Sequence, residues 1–154
     1  MTPAVYLDID GVLNGRGSRG PDVISDDPVQ RARWAMAPSR VRLVDDLCLR
    51  AGASVVVSSS WRLAWSWADL RDALRAGGLR ARVLGVTSPD IEDRWLAIEA
   101  DVTHAPLRPW VALDDERPPD RWHLRDRVVV TDWDAGGITG DDVDRALEVL
   151  CAGS

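Results

Sequence analysis

The sequence contains no lysine, so all 19 of its basic side chains are arginines. It also has no apolar run of the roughly 18 residues that a membrane-spanning helix needs. Its first ten residues lack the basic start and apolar stretch of a secretion signal. These absences predict a protein without a membrane segment, and we expect it to be cytoplasmic.

Cysteine is scarce as well, and the charge is predominantly negative. Cys48 and Cys151 lack the close spacing of a metal knuckle or a redox pair, and we expect both to be buried thiols. The net charge of -6 and the absence of a basic run argue against strong binding to duplex nucleic acid. A local cluster of arginines could still hold one terminal phosphate. No pattern in the sequence predicts an oligomeric state.

The length of 154 residues suits one sizeable core, so we expect a single domain over residues 1–154. Five short apolar runs predict strands, and helical patterns separate them. The predicted strands are Ala4–Leu7, Ala53–Val57, Ala81–Val86, Trp110–Leu113 and Arg127–Val130. The predicted helices are Ser39–Arg50, Trp67–Ala76, Ile91–Ala100 and Asp141–Cys151. This alternation predicts an α/β, three-layer sandwich around a five-stranded parallel sheet.

Several predicted helices begin or end at residues that favour helix termini. Ser39 and Ser66 are candidate N-caps, and Gly52 is placed to end the helix before it. Residues 14–38 form the main irregular segment, rich in Gly, Arg, Asp and Pro. Loops of that length are usually functional or mobile.

Polar side chains directly follow three of the predicted strands. Asp8 and Asp10 follow the first strand, Ser58–Ser60 follow the second, and Asp114 and Asp115 follow the fourth. Ligands of open α/β sheets bind beyond the carboxyl ends of the strands, where these groups converge. We therefore expect one functional site at this edge of the sheet.

The four carboxylates of Asp8, Asp10, Asp114 and Asp115 would crowd negative charge at that edge, which opposes folding unless a cation compensates. Magnesium prefers oxygen ligands and is usually held by one or two carboxylates together with substrate phosphates. Zinc is a poor fit because the sequence offers no set of Cys and His ligands. The acids therefore predict a Mg²⁺ site.

The paired acids Asp8 and Asp10 also suit phosphoryl transfer. One carboxylate must attack phosphorus while another group carries a proton for the departing oxygen. Gly11 permits the sharp turn that brings the pair into the crevice. The hydroxyls and amides of Ser58–Ser60 can hold phosphate oxygens.

A positive charge must face the transferring phosphoryl group. Arg94 is the first candidate, and Arg62 is the second, with substrate contact as its other possible role. A response-regulator receiver also places acids at strand ends of an α/β sheet. It needs a lysine, however, and the missing lysine excludes that class of protein.

These motifs resemble those of the haloacid dehalogenase-like (HAD) phosphatase superfamily in order and spacing. Within it, the chain most resembles the HAD domain of Swiss-Army-knife RNA repair proteins, from Val5 to Leu150. The stretches that carry the resemblance are Asp8-Ile9-Asp10-Gly11-Val12-Leu13-Asn14, Ser58-Ser59-Ser60-Trp61-Arg62, Val111-Ala112-Leu113-Asp114-Asp115 and Gly136-Gly137-Ile138-Thr139.

The resemblance implies a Rossmannoid sheet and an aspartyl-phosphate intermediate. Asp8 would attack phosphorus in line, and Asp10 would protonate the leaving group and later activate water. Magnesium would bind Asp8, the Asp10 carbonyl, and Asp114 or Asp115. Ser59 would carry the hydroxyl of the second motif, with Ser58 as the alternative.

The resemblance also bears on the third motif and on the substrate. The third motif is commonly a lysine, and in this chain only an arginine can fill it. No full cap domain fits before the second motif, so residues 14–38 would be a loop or a minimal cap segment. An uncapped crevice admits large substrates, and the likeness to RNA repair proteins favours a phosphorylated RNA or DNA end.

Three other functions stay open. A phosphatase of small metabolites is compatible with a loop that closes over the crevice. A catalytically inert module would bind phosphate or a phosphorylated partner without turnover. Phosphotransfer to an acceptor other than water would be distinguished from hydrolysis by its products.

Overall fold

The computed structural model of the chain describes residues 1–18, 26–106 and 108–152. Five strands form one parallel sheet with the order β3-β2-β1-β4-β5. They are β1 (Ala4–Leu7), β2 (Ser54–Val57), β3 (Val83–Val86), β4 (Trp110–Asp114) and β5 (Val128–Val130). The predicted five-stranded parallel sheet is therefore confirmed.

Five α-helices surround this sheet in the described residues. They are α1 (Pro28–Ala35), α2 (Pro38–Ala51), α3 (Trp67–Ala76), α4 (Arg94–His104) and α5 (Gly140–Ala152). Two short 3₁₀ helices complete the described structure. Ser60–Leu63 follows β2, and Arg125–Arg127 directly precedes β5. None of the described helices is both long and apolar enough to cross a membrane.

The alternating side chains of β1 show how the layers form. Val5 and Leu7 point to one face of the sheet and belong to a large buried cluster with residues of α2, α3 and α5. Tyr6 points to the other face and packs in a smaller cluster with Trp95 and Ile98 of α4. The α/β three-layer sandwich is thus confirmed, because helices cover both faces of the sheet.

Helix termini agree with some of the predicted caps and correct others. Ser66 is the N-cap of α3, and its side chain accepts a hydrogen bond from the Asp69 amide. Gly52 ends α2 in the left-handed conformation, with φ 60°. The prediction of Ser39 as an N-cap is wrong, because α2 begins at Pro38, which suits the first turn of a helix.

Three further expectations need correction. The predicted irregular segment at residues 14–38 contains α1, which its weak apolar pattern concealed; residues 19–25 of that segment lie outside the described residues. Helix α4 begins at Arg94 and not at Ile91, because Asp93 caps it by accepting hydrogen bonds from two backbone amides. Cys48 is buried as expected, but Cys151 is exposed.

The register of the sheet determines which side chains meet at its carboxyl edge. Leu7 of β1 is level with Val57 of β2 and Leu113 of β4. The next residue along each strand, namely Asp8, Ser58 or Asp114, therefore lies at the same edge. The chain runs to β2 and β3 on one side of β1 and to β4 and β5 on the other, which makes this edge a topological switch point.

Candidate active site

Three carboxylates converge beyond the ends of β1 and β4. Oxygen atoms of Asp8, Asp114 and Asp115 all lie within 4.8 Å of one another. Asp8 is 3% exposed and Asp114 is 1% exposed, whereas Asp115 is open to solvent. Hard oxygen donors gathered so closely fit Mg²⁺ well. The Asp10 carboxylate is not part of this group, and metal binding by Asp10 stays a prediction.

Arg94 is the cation that faces these acids. Its Nη1 lies 2.8 Å and 2.7 Å from the two carboxylate oxygens of Asp114 and 3.2 Å from Asp8 Oδ2. Its Nη2 lies 3.7 Å from Glu116 Oε2. Because Arg94 is the first residue of α4, the cap at Asp93 fixes where its side chain starts. The first candidate for the cation is thus placed against both buried acids.

Burial and like charge shift the proton affinity of the nucleophile candidate. Burial, together with the neighbouring charge of Asp114, raises the pKa of Asp8 from 3.8 to about 7. The Arg94 charge, the Ile9 amide and the Ser59 hydroxyl act in the opposite direction. Without a further cation, Asp8 is therefore only partly ionised near neutral pH.

The pKa values of Asp114, Asp115 and Arg94 are shifted as well. Burial raises the pKa of Asp114, although the hydrogen bond and charge of Arg94 oppose the rise. Burial also raises the pKa of Asp115. Burial alone would lower the pKa of Arg94, but the hydrogen bond and charge of Asp114 raise it above its usual value, so this guanidinium stays charged.

The three serines after β2 occupy three different environments. Ser59 is fully buried, and its hydroxyl oxygen accepts a hydrogen bond from the Trp61 amide at 3.3 Å. Ser58 is 1% exposed, and its hydroxyl has no hydrogen-bond partner among the described residues. Ser60 is exposed at the start of the 3₁₀ helix. Of the three, Ser59 is the one whose hydroxyl hydrogen-bonds to Asp8 and lowers its pKa.

Asp10 is exposed at the rim of this cluster of acids, where two neutral groups hold its carboxylate. Trp61 Nε1 donates to Asp10 Oδ2 at 2.9 Å, and Asn14 Nδ2 donates to Asp10 Oδ1 at 3.0 Å. Asn14 Oδ1 in turn accepts from the Gly11 amide at 2.8 Å. The sequence places Asn14 and Trp61 within the first and second motifs but predicts no role for either. Their only signal was proximity to Asp10 and to the serine turn.

Gly11 stands where the backbone turns past the acids. Its φ is 84°, and a Cβ at this position would meet Asp115 Cγ at 2.1 Å. Only glycine fits this close approach. Its amide is engaged by Asn14 and its carbonyl accepts from Thr131 Oγ1 at 2.7 Å. The predicted turn is confirmed, while contact of Gly11 with phosphate stays a prediction.

Arg62 is buried and bonded to backbone. Its Nη2 donates to the carbonyls of Ile91 and Glu92 at 2.6 Å and 3.0 Å. Its Nη1 lies 3.3 Å from the carbonyl of Ser59. These contacts tie the serine turn to the loop that leads into α4, which carries Arg94. Arg62 therefore positions the site, and its predicted contact with substrate stays a prediction.

The parallel sheet with acids at its switch point defines a HAD-like domain. Residues 4–143 match the family described as the HAD domain in Swiss Army Knife RNA repair proteins, and the chain belongs to that family. The predicted resemblance is confirmed, and membership supports a HAD-type phosphatase in general. No curated protein and no solved structure is significantly similar to the chain.

Proposed function

We propose that the protein is a magnesium-dependent phosphomonoester phosphatase that acts through an aspartyl-phosphate intermediate on Asp8. One observation carries the proposal. A buried carboxylate, Asp8, lies beside the acids Asp114 and Asp115 and the cation Arg94, and a second carboxylate, Asp10, is held at the rim two residues away. This arrangement separates a nucleophile from a proton carrier, as phosphoryl transfer requires.

The reaction has two steps that use the same two aspartates. A carboxylate oxygen of Asp8 forms a bond to phosphorus while the bond from phosphorus to the leaving oxygen breaks, and Asp10 gives that oxygen a proton. Asp10, now ionised, takes a proton from a water molecule that attacks the phosphorus. The bond from phosphorus to Asp8 then breaks, which releases phosphate and restores both carboxyl groups.

Arg94 and Ser59 assist the transfer from fixed positions. The guanidinium of Arg94 bridges Asp8 and Asp114, so it offers positive charge to the oxygens of the incoming phosphoryl group without first having to move. The Ser59 hydroxyl is buried beside Asp8 and can donate to one of those oxygens.

Magnesium would be held by the carboxylates of Asp8, Asp114 and Asp115 and by the carbonyl of Asp10. When bound, it supplies positive charge that offsets both the carboxylate cluster and the phosphate. Such charge also favours the ionised form of Asp8, which burial disfavours.

The substrate we propose is the terminal phosphate of a nucleic acid. The family description, which concerns RNA repair proteins, supports this choice. The shape of the site supports it as well, because Asp10 is exposed and the described part of the interval before β2 holds only two helices, the short α1 and α2, which packs in the core. A large leaving group can therefore reach the acid.

Phosphate release tests the proposal directly. The substrates are 3′- and 5′-phosphorylated oligonucleotides, nucleotides and sugar phosphates, each with magnesium or with EDTA, and the proteins are the wild type and Asp8→Asn. We expect turnover only with magnesium, and a loss of about 10⁴-fold or more in the variant, as for removal of other catalytic nucleophiles. A variant with nearly full activity would disprove the role of Asp8.

Binding measurements separate the remaining outcomes. Magnesium should raise the melting temperature of the wild type because it binds only the folded site, and it should raise that of Asp8→Asn less. If magnesium and phosphate bind but no substrate turns over, the inert phosphate-binding module becomes the better description. If neither binds, the assignment of the site itself is wrong.

A further inference from the structure

Arg31 of α1 lies against the residue that orients Asp10. The guanidinium carbon of Arg31 is 5.6 Å from the centre of the Trp61 ring, a cation–π distance. The same indole donates its N–H to Asp10 Oδ2 at 2.9 Å. Two successive contacts therefore connect Arg31 to the proposed acid of the reaction.

Arg31 has no acidic partner in the part of the chain that the structure describes. Among the described residues it forms no ion pair with a carboxylate, unlike Arg94, which faces three acids. A guanidinium stacked on a ring keeps its edge N–H groups available, and such groups suit the oxygens of a phosphate. The contact with Trp61 thus holds a cation in place without using its hydrogen-bond donors.

The position of Asp10 determines which part of a substrate would approach Arg31. Asp8 and Asp114 are buried in the floor of the site, whereas Asp10 is exposed at its rim. Under the proposed function Asp10 protonates the leaving oxygen, so the leaving group occupies the side of Asp10 that faces solvent. Trp61 contacts Asp10, and Arg31 lies over the face of the same indole. We therefore expect both side chains to lie beside the leaving group and away from the transferred phosphoryl group.

The distribution of charge makes the leaving-group side of Asp10 selective among substrates. The acids around the crevice repel any second anionic group of a substrate, and Arg94 is already engaged by Asp8 and Asp114. Arg31 is a cation on the leaving-group side that has no such competing partner among residues 1–18, 26–106 and 108–152. It therefore favours substrates that carry a further negative charge next to the phosphate monoester.

Helix α1 also carries an aromatic group next to this cation. Trp34 is three residues after Arg31, so the two side chains are neighbours on the surface of α1. Its side chain is 39% exposed. An exposed indole beside a cation offers the two groups that single-stranded nucleic acids use, a surface for stacking a base and a charge for the backbone.

On the basis of the proposed function, we propose that Arg31 forms a subsite for the phosphodiester next to the terminal phosphate of a single-stranded nucleic acid. Arg31 binds this group on the leaving-group side, and Trp34 contacts the adjoining base. The subsite distinguishes a nucleic-acid end from a simple phosphate monoester. RNA and DNA share the recognised chemistry, so both are used in the test.

The test measures binding to a protein that does not turn over. Single-stranded RNA and DNA oligonucleotides with a terminal phosphate, and inorganic phosphate as the simple ligand, are titrated into Asp8→Asn and into Asp8→Asn/Arg31→Gln. We expect the second substitution to weaken oligonucleotide binding about ten- to a hundredfold, the effect of losing a charged hydrogen bond, and to leave phosphate binding unchanged. Asp8→Asn/Arg31→Lys should recover part of the loss because the charge remains.

Arg50→Gln in the same background is the matched control. Arg50 is a half-exposed arginine at the end of α2, where it pairs with Asp46 and Asp144. Asp8→Asn/Arg50→Gln should bind every ligand with the same affinity as Asp8→Asn. The proposal is overturned if Arg31→Gln leaves oligonucleotide binding unchanged, if it weakens phosphate binding equally, or if oligonucleotides do not bind Asp8→Asn. Turnover of p-nitrophenyl phosphate by the wild type reports on the phosphatase assignment separately.

Discussion

The floor of the site, formed by Asp8, Asp114 and Arg94, differs from its rim, where Asp10 and Trp61 lie. In the floor, Arg94 lies 2.7 to 3.2 Å from the buried carboxylates of Asp114 and Asp8, and the pKa values of all three groups are shifted. At the rim, one exposed carboxylate is held by neutral donors. The floor is therefore governed by charge and burial, whereas the rim is governed by orientation.

This difference predicts how the two regions respond to substitution. Removing a charge from the floor alters the balance between buried acids and Arg94, so it should change stability and its dependence on pH. Removing the exposed carboxylate of Asp10 from the rim leaves no buried charge without a partner, so stability should change little. Its effect should appear in the rate of the reaction.

The largest effect at the rim is expected for Asp10→Asn. The variant loses its proton carrier, so kcat should fall by about 10²- to 10⁴-fold for substrates with poor leaving groups. Formation of the phosphoryl enzyme should slow less for p-nitrophenyl phosphate, whose leaving group needs no proton. Rapid-quench and steady-state assays measure the two effects.

Urea denaturation provides the control for Asp10→Asn. Its free energy of unfolding should stay within about 0.5 kcal/mol of the wild type, as for most surface substitutions. A loss of stability of several kcal/mol would contradict the division between floor and rim, because it would show that Asp10 is a structural part of the buried charge cluster.

In the floor, Asp8→Asn should stabilise the metal-free protein at high pH. The pKa of Asp8 is about 7 in the folded protein against 3.8 for the free side chain, so the folded state binds the proton more tightly. The wild type therefore loses stability as pH rises from about 4 to 7, by up to about 4 kcal/mol for a shift of this size. Asp8→Asn has no ionisable group at this position, so it lacks this loss of stability.

Urea denaturation in EDTA at pH 4.5 and pH 8 measures this difference. Asp8→Asn should exceed the wild type in stability at pH 8 and by much less at pH 4.5. Asp46→Asn, which changes an exposed acid on α2, is the control and should show the same difference at both pH values. If Asp8→Asn also differed from the wild type by the same free energy of unfolding at both pH values, burial of charge in the floor would not limit stability.

The floor was largely predictable from the sequence, for a physical reason. Continuous apolar runs locate parallel strands, and parallel strands bring the residues that follow them to one edge. Asp8 and Asp114 were found in this way, because each directly follows such a run. Arg94 could be named because the chain has no lysine and because the residue lies near the start of a predicted helix.

The rim could not be predicted in the same way. The contact between Trp61 and Asp10 joins residues 51 apart, and that between Arg31 and Trp61 depends on how α1 packs. No spacing rule connects side chains from a loop, a 3₁₀ helix and a separate α-helix. Helix α1 is also not predicted, because its apolar pattern is weak. Prediction thus succeeded for residues whose position the sheet determines. It failed for side-chain contacts that depend on how the loops and α1 pack.

The smallest of these effects is expected for Trp61→Phe, which keeps a ring in place but removes the N–H that holds Asp10 Oδ2. Because the hydrogen bond orients the proton carrier and does not touch the phosphoryl group, kcat should fall about tenfold while KM stays nearly constant. Steady-state kinetics with a poor and a good leaving group measure this split, and the loss should be greater for the poor one.

Trp122→Phe is a matched control, because Trp122 is also buried and its indole donates to a carboxylate, Glu99, at the same distance of 2.9 Å. That contact lies in the cluster against α4 and away from Asp10. Both variants should lose similar stability, but only Trp61→Phe should lose activity. An equal fall in kcat would mean that loss of packing explains the effect, and the rim would then have no orienting role separate from the fold.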